Sequence, residues 1–190
     1  MTVLDRARRA LAAHQPREDA PPEARQAAVA LVLVPERSDL TVLFIRRADR
    51  EGDPWSGHVA FPGGRHEVGD AALVDTAIRE TREELGVDLA RAERLGVLDD
   101  LYPRTPVLPP VVVRPFVFTL PRRPKIDLSD EVRAAFWAPL GELRAPGVHR
   151  NVTLNIRGEA RVFPAYVLGE DVIWGMTERI LEGLLKLIFA

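Results

Sequence analysis

The chain has 190 residues, 46% of them hydrophobic, which suits one domain with a sizeable core. Its 26 Lys and Arg residues nearly balance 28 Asp and Glu residues, so the net charge of −2 offers no broad basic surface to a nucleic acid. The absence of cysteine excludes a disulfide framework, a thiol nucleophile and Cys-ligated zinc, and it favours a cytoplasmic protein.

The N-terminal segment MTVLDRARRALAAHQ predicts a short amphipathic helix rather than a signal peptide, because it lacks a long apolar core. Residues 15–24 are polar and rich in proline, which indicates a linker. We therefore expect a helix and linker over residues 1–24 and one folded domain over residues 25–190. No apolar run reaches about 18 residues, so we expect no membrane span.

Apolar, β-rich runs predict several strands in the first part of this domain. Residues 27–34 and 41–45 suit two adjacent strands joined by a turn, and residues 58–61 suit a short third strand. Residues 94–101 and 111–120 are further candidates. Pro115 argues against a central position for the last of them, because proline cannot donate to a sheet ladder.

The C-terminal part predicts a hairpin and a helix. A short helical turn at 139–143 precedes two apolar runs, 152–156 and 160–166, that flank Arg157-Gly158 and suit a hairpin. Apolar residues repeat at helical spacing over 176–188, so that helix is expected to pack on the core. Strands combined with a few helices indicate an α/β fold with a mixed sheet.

The segment 64–87 reads GRHEVGDAALVDTAIRETREELGV and is the most informative stretch of the chain. Gly63 and Gly64 predict a turn, and the helix that follows is expected to end at Gly86. Helix geometry places Glu80, Glu83 and Glu84 within about 100° on one face, which we expect to point outward. An apolar stripe opposite them is expected to bury against the sheet: Leu73, Val74, Ala77, Ile78, Thr81 and Leu85. Three adjacent anions repel one another and attract a hard cation, so the pattern predicts a Mg²⁺ site. The alternative is that these glutamates lie on a solvated helix face and form ion pairs with nearby arginines.

The same segment resembles the sequence box of the Nudix hydrolases. The matching residues are Gly64, Asp70, Arg79, Glu80, Thr81, Glu83, Glu84, Gly86 and Val87. The chain departs from the common box in having Asp70 for Glu, Thr81 for an aliphatic residue and one extra residue before Arg79. The resemblance implies the α/β/α Nudix sandwich with a mixed central sheet.

The resemblance also implies the metal ligands. Glu80, Glu84 and Glu83 would hold Mg²⁺ or Mn²⁺ with the help of the backbone carbonyl of Gly64, and Arg79 would orient Glu83. Glu67 and Asp70, in the preceding loop, are candidates for additional metal ligands. Acidic residues are also common in short loops because they stabilise turns.

A second resemblance, to the coenzyme A pyrophosphatase branch of the family, lies in segments 43–64 and 173–177. The matching residues are Leu43, Arg47, Ala48, Gly57, Phe61 to Gly64, Ile173, Trp174, Gly175 and Thr177. An arginine that this branch carries between its Arg-Ala pair and its glycine is displaced by about one residue here, and Arg50 is the candidate to replace it. The resemblance implies hydrolysis of coenzyme A to 3′,5′-ADP and 4′-phosphopantetheine.

Further residues are candidates for catalysis and substrate binding. A carboxylate near the cleaved linkage can act as general base, and the candidates are Glu83, Glu80 and, in a later loop, Glu131. Guanidinium groups form bidentate hydrogen bonds with phosphates. The candidates for binding the phosphates of the substrate are therefore Arg46, Arg47, Arg50, Arg65 and Arg104. Three aromatic residues could stack on adenine or line a channel, although Trp174, like Trp137, also suits a packing role: Trp55, Tyr102 and Trp174. The histidines have no ligand spacing, so none is assigned as a ligand or base.

The leading hypothesis is thus a metal-dependent hydrolase with a small-molecule nucleotide substrate, most closely coenzyme A, acting as a monomer or homodimer without nucleic-acid or membrane partners. One alternative is the same chemistry on ADP-ribose, a dinucleotide or a nucleoside triphosphate. Another is a regulatory module that binds a nucleotide without cleaving it. Such modules tend to lose box acids, and this chain keeps Glu80, Glu83 and Glu84.

Overall fold

The structure is a computed structural model that describes residues 1–18, 21, 23–51, 56–103, 110–156 and 158–190. In that part of the chain the helices are α1 (Val3–Ala13), α2 (Leu73–Leu85), α3 (Leu140–Leu143) and α4 (Gly175–Phe189). The strands are β1 (Arg25–Glu36), β2 (Asp39–Arg47), β3 (Val59–Ala60), β4 (Gly63–Arg65), β5 (Glu93–Val97), β6 (Val111–Thr119), β7 (Val132–Pro139), β8 (His149–Ile156), β9 (Glu159–Leu168) and β10 (Asp171–Trp174). Among these helices, none is both long and apolar enough to cross a membrane.

The main sheet is mixed and has β1 at its centre. Its strands follow the order β3-β2-β1-β6-β5, while β4 pairs with the first half of β1 and β7 pairs with β2. Strands β1 and β6 run parallel, and the other pairs are antiparallel. The middle of β1 is apolar at nearly every position, and residues 30–34 are all buried, because helices cover both faces of this strand.

Two apolar clusters fill the two sides of this sheet. On one side Ala77 and Leu85 of α2 pack with Leu43 and Ile45 of β2. On the other side α1 and α4 pack against alternate residues of β1 and β2, and Leu181 is one of the α4 residues in this cluster. This helix-sheet-helix arrangement confirms the predicted α/β sandwich. Ala7 and Leu11 of α1 are buried in the second cluster, and the division of the chain at residue 24 remains a prediction.

The predicted C-terminal hairpin is present as β8 and β9, which pair from His149↔Tyr166 to Ile156↔Glu159. Strand β10 extends it to a smaller sheet of order β10-β9-β8. Arg157, which was part of the predicted turn, lies outside the described residues. Helix α4 follows directly from β10, so the small sheet and the main core share this helix.

Three expectations about this part of the fold were wrong, and one strand was not predicted. Strand β6 is central, between β1 and β5. Pro115 is tolerated in this strand because it lies where β5 ends, and its carbonyl still accepts a hydrogen bond from the amide of Leu98. Segment 132–139, which was not predicted as a strand, is β7, and segment 94–101 is a strand only as far as Val97. Gly63 and Gly64, expected to form a turn, belong to β4 and pair with Val29 and Ala28 of β1.

Candidate functional site

Helix α2 forms as the apolar spacing predicts. Thr76, Ala77, Thr81 and Leu85 are buried, with Leu73, Val74 and Ile78 partly buried beside them. The helix ends at Gly86, which adopts φ 66° and donates its amide to the carbonyl of Arg82. Such a left-handed conformation is accessible to glycine without the steric cost that a side chain brings.

The three glutamates of α2 differ sharply in exposure. The side chain of Glu83 is 54% exposed and that of Glu80 is 16% exposed, whereas Glu84 is only 4% exposed. The expectation that all three point outward is therefore wrong for Glu84. Its carboxylate turns toward β4, where the amide of Gly63 donates to Glu84 Oε2 at 2.9 Å.

Glu84 is a buried carboxyl group with a raised pKa. Loss of water contact is the largest effect and raises its pKa to about 8, while the nearby charges of Glu80 and Glu131 raise it further. The amide of Gly63 and the positive charge of Arg47 act in the opposite direction. Burial also raises the pKa of Glu80. A cation between these side chains would relieve both effects.

Gly64 leaves the space that Glu80 occupies. A Cβ atom at position 64 would lie 2.3 Å from Glu80 Oε1, so any side chain there would displace this carboxylate. At Gly63, with φ 152°, a Cβ would instead lie 2.3 Å from the backbone oxygen of Ala28. Glycine is therefore required at the two positions of β4 for different reasons. Gly64 leaves room for the side chain of Glu80, and Gly63 allows β4 to lie close to β1.

Arg79 links the acids of this region. Its Nη1 atom lies 3.0 Å from both Glu80 Oε1 and Glu83 Oε2. Its Nε and Nη2 atoms donate to the two oxygens of Asp70 at 2.9 and 3.1 Å, and Nη2 also donates to the carbonyl of Arg65 at 3.1 Å. These bonds raise the pKa of Arg79 and hold the pKa of Asp70 well below its usual range. The structure thus places Asp70 on Arg79 instead of in a metal shell.

A cleft of about 360 Å³ brings most of the predicted site residues together. It is lined by Glu67, Arg79, Glu80, Glu83, Glu84, Ser129 and Glu131. Ser129 was missed, since nothing in the sequence distinguishes it from other loop serines. Its amide donates to the carbonyl of Glu84 at 3.0 Å, which ties the loop that carries Glu131 to the end of α2.

The donor set of this cleft suits a hard divalent cation. In the described part of the chain, no three aspartate, glutamate or histidine side chains are already arranged to hold a metal ion. Arg79 is instead bonded to Glu80 and Glu83, and Glu84 keeps a buried carboxylate beside them. The oxygens present are those that Mg²⁺ and Mn²⁺ prefer, so the residues fit such an ion.

The candidate phosphate-binding arginines differ in their relation to this cleft. Arg50 donates from Nη2 to Glu131 Oε1 at 3.1 Å, and Arg47 is close enough for its charge to act on Glu84. The exposed Arg65 contributes its carbonyl to Arg79. Arg46 forms an ion pair with Asp171 of β10 instead of facing the cleft acids. Arg104 lies outside the described residues.

The aromatic candidates divide in a similar way. Trp174 packs between His58 and Phe163, with ring centroids 4.9 and 5.0 Å apart, which matches its predicted packing alternative. Trp137 lies beneath the guanidinium of Arg123 at 5.5 Å. Tyr102 is half-buried, and Trp55 lies outside the described residues.

Comparison with known proteins places this site in a family context. The family model of the NUDIX domain matches residues 24–156. The uncharacterized protein C14C4.10c of Schizosaccharomyces pombe is 35% identical over 140 residues, which are 70% of this chain but only 43% of that protein. The mitochondrial coenzyme A diphosphatase NUDT8 of Mus musculus is 32% identical over 173 residues, 85% of this chain and 78% of that protein.

Solved structures show the same fold. A MutT/nudix family protein from Enterococcus faecalis is similar with a TM-score of 0.58 and 22% identity, over 90% of this chain and 64% of that one. At this identity the likeness concerns the fold alone, and it agrees with the mixed sheet between helices described above.

Proposed function

This chain belongs to the Nudix hydrolase family, and on that premise we propose that it is a metal-dependent pyrophosphohydrolase that cleaves the diphosphate linkage of coenzyme A or its derivatives. The observation that carries the proposal is the cleft that Glu80, Glu83 and Glu84 line together with Glu67 and Glu131. The products would be 3′,5′-ADP and 4′-phosphopantetheine. Mg²⁺ or Mn²⁺ is the proposed cofactor.

Two features support coenzyme A as the substrate. The first is the segment 43–64, which resembles that of the coenzyme A pyrophosphatase branch and ends in β4 at the cleft. The second is the name of the mouse relative, a coenzyme A diphosphatase that this chain matches over most of both lengths.

In the proposed mechanism the acids of α2 and the loop acids have different tasks. Glu80, Glu83 and Glu84, with Glu67 and the carbonyl of Gly64, would hold the metal. When bound, such a metal neutralises the phosphate charge and makes phosphorus more susceptible to attack. Arg79 keeps two of these acids in place through the 3.0 Å contacts of its Nη1 atom.

We assign the general base to Glu131. The other acids that line the cleft, Glu67 and the three glutamates of α2, are the proposed metal ligands, which leaves Glu131 for this task. Glu131 stands on the opposite loop, 53% exposed, where it can take a proton from an attacking water. Its bond to Arg50 holds it at the cleft, and the positive charges of Arg50, Arg47 and Arg65 would bind the substrate's phosphates.

A substrate panel with product analysis tests the proposal. Purified protein with Mg²⁺ would be incubated with coenzyme A, ADP-ribose, a dinucleoside polyphosphate and a nucleoside triphosphate, and the products identified by mass spectrometry. We expect coenzyme A to give 3′,5′-ADP and 4′-phosphopantetheine with the highest kcat/KM. Faster hydrolysis of another substrate would replace the coenzyme A assignment, and tight nucleotide binding with no product from any substrate would identify a regulatory module.

Three accompanying proposals concern the protein's surroundings. We propose a cytoplasmic location, with which the cysteine-free composition is consistent, and fractionation of cells tests it. The near-balanced charge argues against a nucleic-acid partner. A monomer or homodimer is expected, and light scattering distinguishes them.

A further inference from the structure

A buried threonine links two segments of the cleft. Thr76 on α2 is fully buried, and its hydroxyl donates to Asp70 Oδ2 at 2.8 Å. The Nδ1 atom of His66 lies 2.9 Å from the same hydroxyl oxygen. Because the single hydroxyl hydrogen is used toward Asp70, the hydroxyl accepts from His66, which therefore carries a hydrogen on Nδ1.

Asp70 collects several donors on one largely buried carboxylate. Its side chain is 5% exposed. Oδ2 accepts from Thr76 and, at 3.0 Å, from the amide of Glu67, and both oxygens accept from Arg79. A buried carboxylate is stable only when hydrogen-bond donors surround it. Removal of one donor therefore weakens the set of hydrogen bonds that holds Asp70 in place.

These contacts join the two segments that carry the proposed ligands. Residues 64–70 carry Gly64 and Glu67, while α2 carries Arg79 and the three glutamates. The chain from His66 through Thr76 and Asp70 to Arg79 crosses between these segments at hydrogen-bonding distance at every step. Arg79 in turn lies 3.0 Å from Glu80 and Glu83.

We infer that Thr76 and His66 are positioning residues, which act through Asp70 and Arg79 to set the spacing of the carboxylates in the cleft. This inference rests on the proposed function, since it concerns how the metal ligands are held. Neither residue lines the cleft, so neither is expected to touch the substrate or the metal. Their effect would resemble that of residues that orient metal ligands from behind.

The helix itself provides a matched control. Thr81 is also fully buried on α2, but its hydroxyl donates to the carbonyl of Ala77, one turn earlier in the same helix. Thr76→Val and Thr81→Val therefore remove the same hydroxyl from equally buried positions of one helix. Only the first breaks a contact between segments.

The test measures Mn²⁺ affinity by electron paramagnetic resonance, together with kcat for coenzyme A and the unfolding midpoint. We expect Thr76→Val to weaken Mn²⁺ binding or lower kcat by about 10-fold or more, as losses of ligand-orienting contacts do. Thr76→Ser keeps the hydroxyl, so it should stay within about threefold of the wild type, as should Thr81→Val. A packing role predicts the reverse order, because serine leaves a cavity and valine does not.

His66 offers a second pair of variants if Thr76→Val does not fold. His66→Asn keeps an N–H donor near the position of Nδ1, and His66→Leu removes it; we expect the leucine variant alone to lose Mn²⁺ affinity or kcat.

Equal behaviour of Thr76→Val and wild type, or equal damage from Thr76→Ser and Thr76→Val, overturns the inference. If the wild type binds Mn²⁺ but does not hydrolyse coenzyme A, the substrate proposal fails while the affinity measurements still decide on Thr76. A wild type that binds no Mn²⁺ refutes both.

Discussion

The buried carboxylate of Glu84 predicts an unusual pH dependence of the metal-free protein. Its pKa is raised from 4.5 to about 8, mainly by burial. A carboxyl group with a raised folded-state pKa binds its proton more tightly in the folded protein. Its contribution to stability is therefore fully present below pH 4.5 and is lost as the pH rises through 8.

The size of this effect follows from the two pKa values. With an unfolded-state pKa of 4.5 and a folded-state pKa of about 8, ionisation of Glu84 reduces the free energy of unfolding by less than about 1 kcal/mol at pH 5 and by about 4 kcal/mol at pH 8. Glu84→Gln removes the charge but keeps an oxygen to accept from Gly63. Relative to the wild type, this variant should therefore gain about 3 kcal/mol in stability between pH 5 and pH 8.

Urea unfolding with a chelator present, at pH 5 and pH 8, measures this difference. Glu83→Gln is the matched control, since Glu83 is 54% exposed and should show little change. Mg²⁺ at pH 8 should stabilise the wild type by about 3 kcal/mol at a concentration 100 times the wild-type Kd. It should stabilise Glu84→Gln by at most about 1.4 kcal/mol at that concentration, because we expect the Kd of this variant to be about 10-fold higher or more. Both substitutions should abolish metal-stimulated hydrolysis while folding survives. A wild type and Glu84→Gln with parallel pH profiles would refute the reasoning.

Three further substitutions test separate parts of the site. Gly64→Ala should lower kcat by about 10-fold or more, because its Cβ would displace Glu80, while the unfolding midpoint changes little; normal kinetics would contradict this. Gly86→Ala should destabilise the fold by about 1 kcal/mol in urea unfolding, since position 86 has φ 66°, and an unchanged midpoint would count against the left-handed end of α2. Glu131→Gln should lower kcat by about 100-fold with Mn²⁺ affinity retained, whereas a loss confined to Glu83→Gln would move the base to α2.

Much of the fold could be predicted because its signals are local. The 3.6-residue spacing of Ala77, Thr81 and Leu85 and the glycine at position 86 define α2 without reference to the rest of the chain. Strand β1 is recognisable from its continuous apolar run, and the hairpin of β8 and β9 from two runs around a short turn.

Elements that depend on a distant partner could not be predicted in this way. Strand β7 pairs with β2 from Thr41↔Pro139 to Arg47↔Val132, and no local pattern in its small and aromatic residues indicates this pairing. Pro115 argued against a central strand by a general tendency, but the position at which β5 ends decides the matter.

The site shows the same division between local and distant causes. Helical spacing places Glu80, Glu83 and Glu84 on one face, but the burial of Glu84 depends on the close approach of β4. The charge partners of the arginines are likewise set by the fold, as the pair of Arg46 with Asp171 shows. Residue type could indicate phosphate binding for such an arginine, but only the structure shows which carboxylate it faces.

Direct measurement of divalent metal binding tests the central claim, that the acids of α2 gather a metal ion in the cleft. A titration with Mn²⁺, followed by electron paramagnetic resonance, should show saturable binding to the wild type that is weakened about 10-fold or more in both Glu80→Gln and Glu84→Gln. Binding of equal strength in the wild type and both variants would contradict the account.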